Sequence, residues 1–186
     1  MPAAGEIRTE HDELDAERQA RRQVALAQIR QYPEPVLRMR AREVEQFDGE
    51  LEQLAARMTW LMSEAAGVGL AANQVGVLQR LFVFQPTAED EPRAMVNPEI
   101  VERSDETEHD DEGCLSMQGV LVPVERNIRV TVEARDLEGE KVRLELEGMG
   151  ARVVQHELDH LDGVLIIDRT TPEGRREALG VLRQAV

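Results

Sequence analysis

Apolar positions recur with two different periods along this chain, and the alternation between them predicts its elements. Leu51, Leu54, Met58, Leu61, Met62 and Ala65 keep the three-to-four spacing of one helical face, which predicts a helix stopped by Gly67. Trp60 and the methionines of that stretch read as core. Upstream, His11 to Ile29 favours helix, with Val24, Leu26 and Ile29 as a weak apolar face, and Pro33 and Pro35 end it. Leu81 to Phe84 and Ala94 to Val96 are short runs of strand character. Ile128 to Glu133 and Lys141 to Leu146 alternate apolar with polar, as half-buried antiparallel strands do, and Asp136 to Gly139 supplies a turn between them. Gly148 to Leu161 reads as a helix ended near Gly163. Strand-like Val164 to Ile167 follows, then a last helix from Pro172 to about Val181. The sum is an α+β fold, with short antiparallel strands packed around a central helix and flanked by others.

Bulk properties narrow the class of function. A length of 186 residues suits one domain with a proper core. The formal charge of -15 argues against nucleic-acid binding, which needs a basic patch for the phosphate backbone. Arg21, Arg22, Arg30, Arg38 and Arg40 are concentrated between Ala20 and Arg40, and they read as a solvated helix face plus a surface loop. The acid-rich run Glu102 to Glu112 reads as a solvated loop without the glycine-centred spacing of a calcium site. No run of about 18 apolar residues is present, so no transmembrane helix is expected. Residues 1 to about 9 read as disordered, and Glu6, Arg8, Glu10 and Asp12 leave no apolar core for a secretory signal. A single cysteine forms no internal disulfide and, as a thiolate, is easiest to keep in the reducing cytoplasm.

The chemistry is concentrated in three segments. In Gln155-His156-Glu157-Leu158-Asp159-His160 the two histidines are one helical turn apart on the same face, so both imidazoles can reach one metal ion. Glu157, beside the first of them, is placed to exchange protons with water at that ion. Cys114, in Glu112-Gly113-Cys114-Leu115-Ser116, completes a three-ligand set that leaves a coordination position open. His11 and His109 have no ligand spacing and read as solvent-exposed. The third segment, Gly67-Val68-Gly69-Leu70-Ala71-Ala72-Asn73-Gln74, has small residues that permit close approach of another backbone.

Together and in this order, the three segments resemble the peptide deformylase family, whose motifs are Gly-x-Gly-Leu-Ala-Ala-x-Gln, Glu-Gly-Cys-Leu-Ser and Gln-His-Glu-x-Asp-His-Leu-x-Gly. Tyr32-Pro33-x-Pro35-Val36-Leu37-Arg38 is also similar to the family's N-terminal segment, and the resemblance runs on to about Asp168. It implies an N-terminal extension over residues 1–28, partly disordered or helical, and a single catalytic domain over 29–186. It implies that Cys114, His156 and His160 bind one divalent metal, usually Fe(II), with Zn(II), Ni(II) or Co(II) as substitutes. Glu157 would be the general base and then the general acid. The Gln74 side-chain amide and the Leu115 backbone N–H would stabilise the oxyanion. The substrate would be the N-formyl-methionyl end of a nascent polypeptide, with a transient ribosome contact and no membrane partner.

A methionine pocket beside the metal would draw on Val68, Met149 and Val153. Gly67 and Gly69 would let the peptide backbone pair with an exposed strand edge. One departure stands out: Met117-Gln118-Gly119 has glutamine where the family commonly has proline, which predicts a looser loop after Cys114. The alternatives are an altered substrate range, a His-Glu-x-x-His metallopeptidase, and a non-enzymatic metal-binding role.

Overall fold

Backbone pairing gathers the strands into two antiparallel sheets in a computed structural model, which describes residues 10–184 and, from residue 14, their side chains. The larger sheet has the order β1-β2-β3-β6-β7, where β1 is Gly69–Ala71, β2 Leu81–Phe84, β3 Arg93–Arg103, β6 Arg129–Arg135 and β7 Lys141–Glu147. The smaller is a hairpin of β4 (Thr107–Cys114) and β5 (Met117–Asn127). Among the described residues, five α-helices surround them: α1 (Glu10–Leu26), α2 (Gly49–Glu64), α3 (Met149–Leu161), α4 (Ile166–Arg169) and α5 (Pro172–Gln184). The disorder expected of residues 1 to 9 and the exposure expected of the His11 side chain lie outside the described residues.

Strand alternation explains how α3 comes to lie at the centre. Leu81 and Val83 of β2 point into a core shared with Leu26 of α1 and Leu51, Met58, Leu61 and Met62 of α2. Phe82 and Phe84 point the other way, into a second core with Val130 and Val132 of β6 and Ala151, Val154, Leu158 and Leu161 of α3. The sheet is therefore covered by helices on both faces at the β1–β2 end, and β2 is buried throughout. A third cluster joins Val120, Val122 and Val124 of β5 to Leu165, Ile166, Ile167 and Ala178.

Several expectations need correction. The acid-rich run is not a loop: Arg103 ends β3, and residues from Thr107 onward form β4, an exposed strand held by pairing with β5. Its mostly charged side chains gave no apolar alternation to read. Val164 to Ile167 is not a strand, because the chain turns into α4 at Ile166, where the Asp168 carboxylate accepts the Leu165 N–H at 2.9 Å. A short, largely buried apolar run carries no period to tell the two apart. Trp60 is 49% exposed, on the opposite side of α2 from Met58, Leu61 and Met62. That helix starts at Asp48, whose side chain accepts from the backbone N–H groups of Glu50 and Leu51. It stops with Ala66 in the left-handed region, φ 57°, rather than with Gly67, which donates its N–H to Met62 O at 2.9 Å.

Candidate active site

His156 and His160 project from successive turns of α3, with their Nε2 atoms 3.2 Å apart. Cys114 ends β4 and brings its Sγ to 3.3 Å from His160 Nε2. All three ligand atoms lie within 4.8 Å of one another. Bonds of about 2.0–2.3 Å to nitrogen and sulfur set tetrahedral ligands about 3.3–3.6 Å apart, so the two separations of 3.2 and 3.3 Å are near those of a donor set that could hold one divalent ion. The hairpin fixes the cysteine: Cys114 pairs with Met117 across a two-residue turn, Leu115-Ser116.

Behind the ligands lies a buried ionic cluster. Glu112 is 6% exposed and accepts from Arg126 Nε at 2.8 Å, from Arg126 Nη2 at 3.0 Å and from Arg152 Nη1 at 2.9 Å. His156 Nδ1 lies 2.9 Å from Glu112 Oε2, the oxygen that also accepts from Arg126 Nη2. That bond leaves the His156 Nε2 lone pair directed at the site, the usual arrangement behind a metal-ligating histidine. Burial opposes charge on Glu112, but the hydrogen bonds from His156 and Arg126 outweigh it and hold the carboxyl far below its ordinary range. Arg126 Nη1 also donates to Asp159 at 2.7 Å, and Asp159 accepts from Arg169.

Glu157 is 3% exposed, and its Oε2 has no hydrogen-bond partner among the described residues. Burial is the main cause that pushes its carboxyl up to about 7; His156 opposes this, Glu112 reinforces it and Arg126 opposes it. Gly69 makes room for this side chain, since a Cβ there would sit 2.8 Å from the Glu157 carboxyl carbon. At Gly67 a Cβ would meet Leu115 Cδ1 at 2.6 Å. Both glycines thus accommodate side chains of the site itself, and neither takes a positive φ. Burial lowers the proton affinity of both histidines. His156 is nevertheless raised by its bonds to Cys114 and Glu112, whereas His160 is lowered further by the charge of His156.

Gln74 is held at both ends of its amide. Its Oε1 accepts the Ala71 N–H at 2.8 Å, and its Nε2 donates to Ser116 Oγ at 3.0 Å and faces Cys114 Sγ at 3.7 Å. Leu115 is at the tip of the same hairpin. These groups open onto a cavity of about 520 Å³, whose lining includes Val68, Met149 and Val153. Val68 and Met149 are 44% and 50% exposed, and Val153 is buried. Gln118 lines this cavity too, but it belongs to β5 rather than to a loose loop. A larger crevice of about 810 Å³ on the far side of α3 is lined by Arg40, Arg80, Arg103, Asp159 and Asp162, and none of the three ligand residues lines it.

The structure therefore brings together Cys114, His156, His160, Glu157, Gln74 and Leu115. His109 stands apart, its side chain 69% exposed. Glu112, Arg126, Arg152, Asp159 and Ser116 were not among the expected site residues. Two signals point to them. Arg126 follows Val120, Val122 and Val124 in the inward phase of β5, and a buried arginine requires a buried acid. Arg152 precedes His156 and His160 at four-residue intervals on α3.

Comparison with known proteins places this geometry. The family model described as polypeptide deformylase matches residues 26–176. The chain belongs to this family. The peptide deformylase of Thermotoga maritima is 50% identical over 147 residues, covering 79% of this chain and 88% of that protein. The crystal structure of the Thermotoga maritima enzyme superposes with a TM-score of 0.75, covering 77% of this chain and 97% of that one. A Plasmodium falciparum peptide deformylase in complex with an inhibitor, 37% identical, gives a TM-score of 0.77 over 84% of this chain and 97% of its own. The three motif segments all fall inside the matched span. Most of α1 precedes it.

Proposed function

We infer that this deformylase-family chain hydrolyses the N-formyl group from the terminal formyl-methionine of newly made polypeptides, releasing formate. The observation that carries this reading is the convergence of Cys114, His156 and His160 beside a buried, unpartnered Glu157 oxygen. The three ligands would hold one divalent ion, iron(II) in our reading, with zinc, nickel or cobalt as substitutes compatible with the donors. Such an ion, when bound, supplies a Lewis acid that lowers the pKa of water towards neutrality. Glu157, with its carboxyl raised to about 7, is matched to taking the proton of the attacking water and passing it to the departing amine nitrogen. Gln74 Nε2 and the Leu115 N–H are the donors we assign to the developing oxyanion. Gly67 to Gly69 offer an edge for the peptide backbone, and Val68, Met149 and Val153 take the methionine side chain. The hydrogen bond that His156 Nδ1 donates to Glu112 keeps that ring's orientation and tautomer.

Among the described residues no helix is long and apolar enough to cross a membrane. We place the protein in the cytoplasm, where a thiolate ligand stays reduced and nascent chains are met through transient ribosome contact. The test is formate release from a short formyl-methionyl peptide by anaerobically purified protein loaded with iron(II), nickel(II) or zinc(II). Glu157→Ala is expected to retain the metal and lose about 10²–10⁴-fold in turnover. Retention of near-normal activity would refute the proton-transfer role. Absence of release with every metal, while one ion still binds tightly, would leave the non-enzymatic reading.

A further inference from the structure

The cavity beside the metal ligands includes one residue from outside the span matched by the family model. Arg22 of α1 lines it, although the match begins at residue 26. The Arg22 Nε donates to Ala65 O at 3.1 Å, which pins the guanidinium to the end of α2 just before Gly67. Its two Nη atoms have no hydrogen-bond or ion-pair partner among the described residues, and the neighbouring acid Glu64 faces Arg21 instead, at 3.8 Å.

The course of the chain sets where Arg22 falls along a bound substrate. Gln74 and Cys114 mark the metal end, and Gly69 lies against Glu157. From Gly69 the backbone leads back through Gly67, which lies against Leu115, to Ala65, whose carbonyl accepts from Arg22. A peptide following this edge, with its formyl group at the metal end, carries the residues after methionine to the guanidinium. Asp110 and Asp111 of β4 also line the cavity, on the strand whose Glu108 O accepts from Arg152 of α3.

We propose that Arg22 is a specificity-determining residue that favours formylated peptides with an acidic side chain at the second or third position. The inference rests on the deformylase reading above. A net charge of -15 repels acidic peptides at long range, so an unpaired cation at the cavity rim counters that repulsion where the substrate's downstream residues pass.

The experiment measures kcat/KM for formyl-methionyl tripeptides carrying glutamate, glutamine or lysine at the second and third positions. The metal-loaded full chain is compared with Arg22→Gln and Arg22→Lys. Arg22→Gln is expected to lower the glutamate-to-glutamine ratio of kcat/KM by about two- to five-fold, as exposed charge pairs do. The change should fall mainly in KM and fade at high salt, and Arg22→Lys should restore much of the ratio. A purely structural role through the Ala65 bond would alter all peptides by one common factor, and that result would overturn the proposal while leaving the deformylase reading intact. No turnover of any peptide would overturn both.

Discussion

At the residue scale, the buried carboxylates divide into two opposite environments on one helix–hairpin contact. Glu112 is surrounded by Arg126, Arg152 and His156, so its charge is stabilised despite burial. Glu157 has one oxygen without a partner, and its proton is correspondingly easier to keep. Separation of two carboxyl affinities by environment would let one stay an anchor while the other exchanges protons in the proposed reaction. Glu112→Gln tests the anchor: it keeps the shape, removes the charge opposite two buried guanidinium groups and weakens the bond to His156. Metal affinity, read by competition with a chelator, is expected to fall about 10–100-fold. An unchanged affinity would show that His156 is held in place by other contacts. The cluster of Cys114, His156 and His160 was legible because its spacing is a property of one helix and one cysteine. The anchor was hidden because Glu112 meets Arg126 only after β4 and β5 have paired, and that strand pair leaves no apolar alternation on its charged half.

At the element scale, legibility followed the amount of periodicity each segment carries. The helix around Met58 and the strands around Val132 and Leu144 show a sustained period, and their positions agree with α2, β6 and β7. The exposed strand β4 and the four-residue helix α4 carry none, and tertiary pairing decides both. The β2 strand is the clearest link between pattern and packing, since its four residues feed two separate cores. Phe82, fully buried between the sheet and α3, stacks edge-to-face on Phe84 with centroids 5.7 Å apart. Phe82→Ala should cost about 3–5 kcal/mol through lost transfer energy and the cavity left behind. A chemical denaturation curve reads this as a lower midpoint at unchanged slope. A loss below about 1 kcal/mol would mean that α3 can settle onto β2, in which case the spacing of the ligand atoms should shift with it.

At the scale of the whole molecule, the position of Cys114 depends on the third cluster staying docked, because α4 and α5 pack on β5, the strand paired with the one that Cys114 ends. That cluster is tied to the segment before α2 by Leu37, buried within it, and by the Arg38–Asp168 ion pair. Burial raises the Asp168 carboxyl, but hydrogen bonds from Arg38 and the Leu165 N–H, with the charges of Arg38 and Arg175, bring it below its ordinary value. A carboxyl depressed in the folded state contributes stability above its unfolded pKa of about 3.9. That contribution is lost as pH falls through the folded value. The chain's net charge of -15 complicates acid titration of the wild type alone, since protonation also relieves repulsion among its other carboxylates. Asp168→Asn isolates the pair because both proteins share that background. The stability difference between them is expected to be constant near neutral pH and to shrink as pH falls below about 4, read by denaturant unfolding at each pH. A difference that persists undiminished at the acid end would trace the loss to the bond from the Leu165 N–H rather than to the ion pair, and no difference at any pH would assign the docking of α4 to apolar packing of Leu165, Ile166 and Ile167.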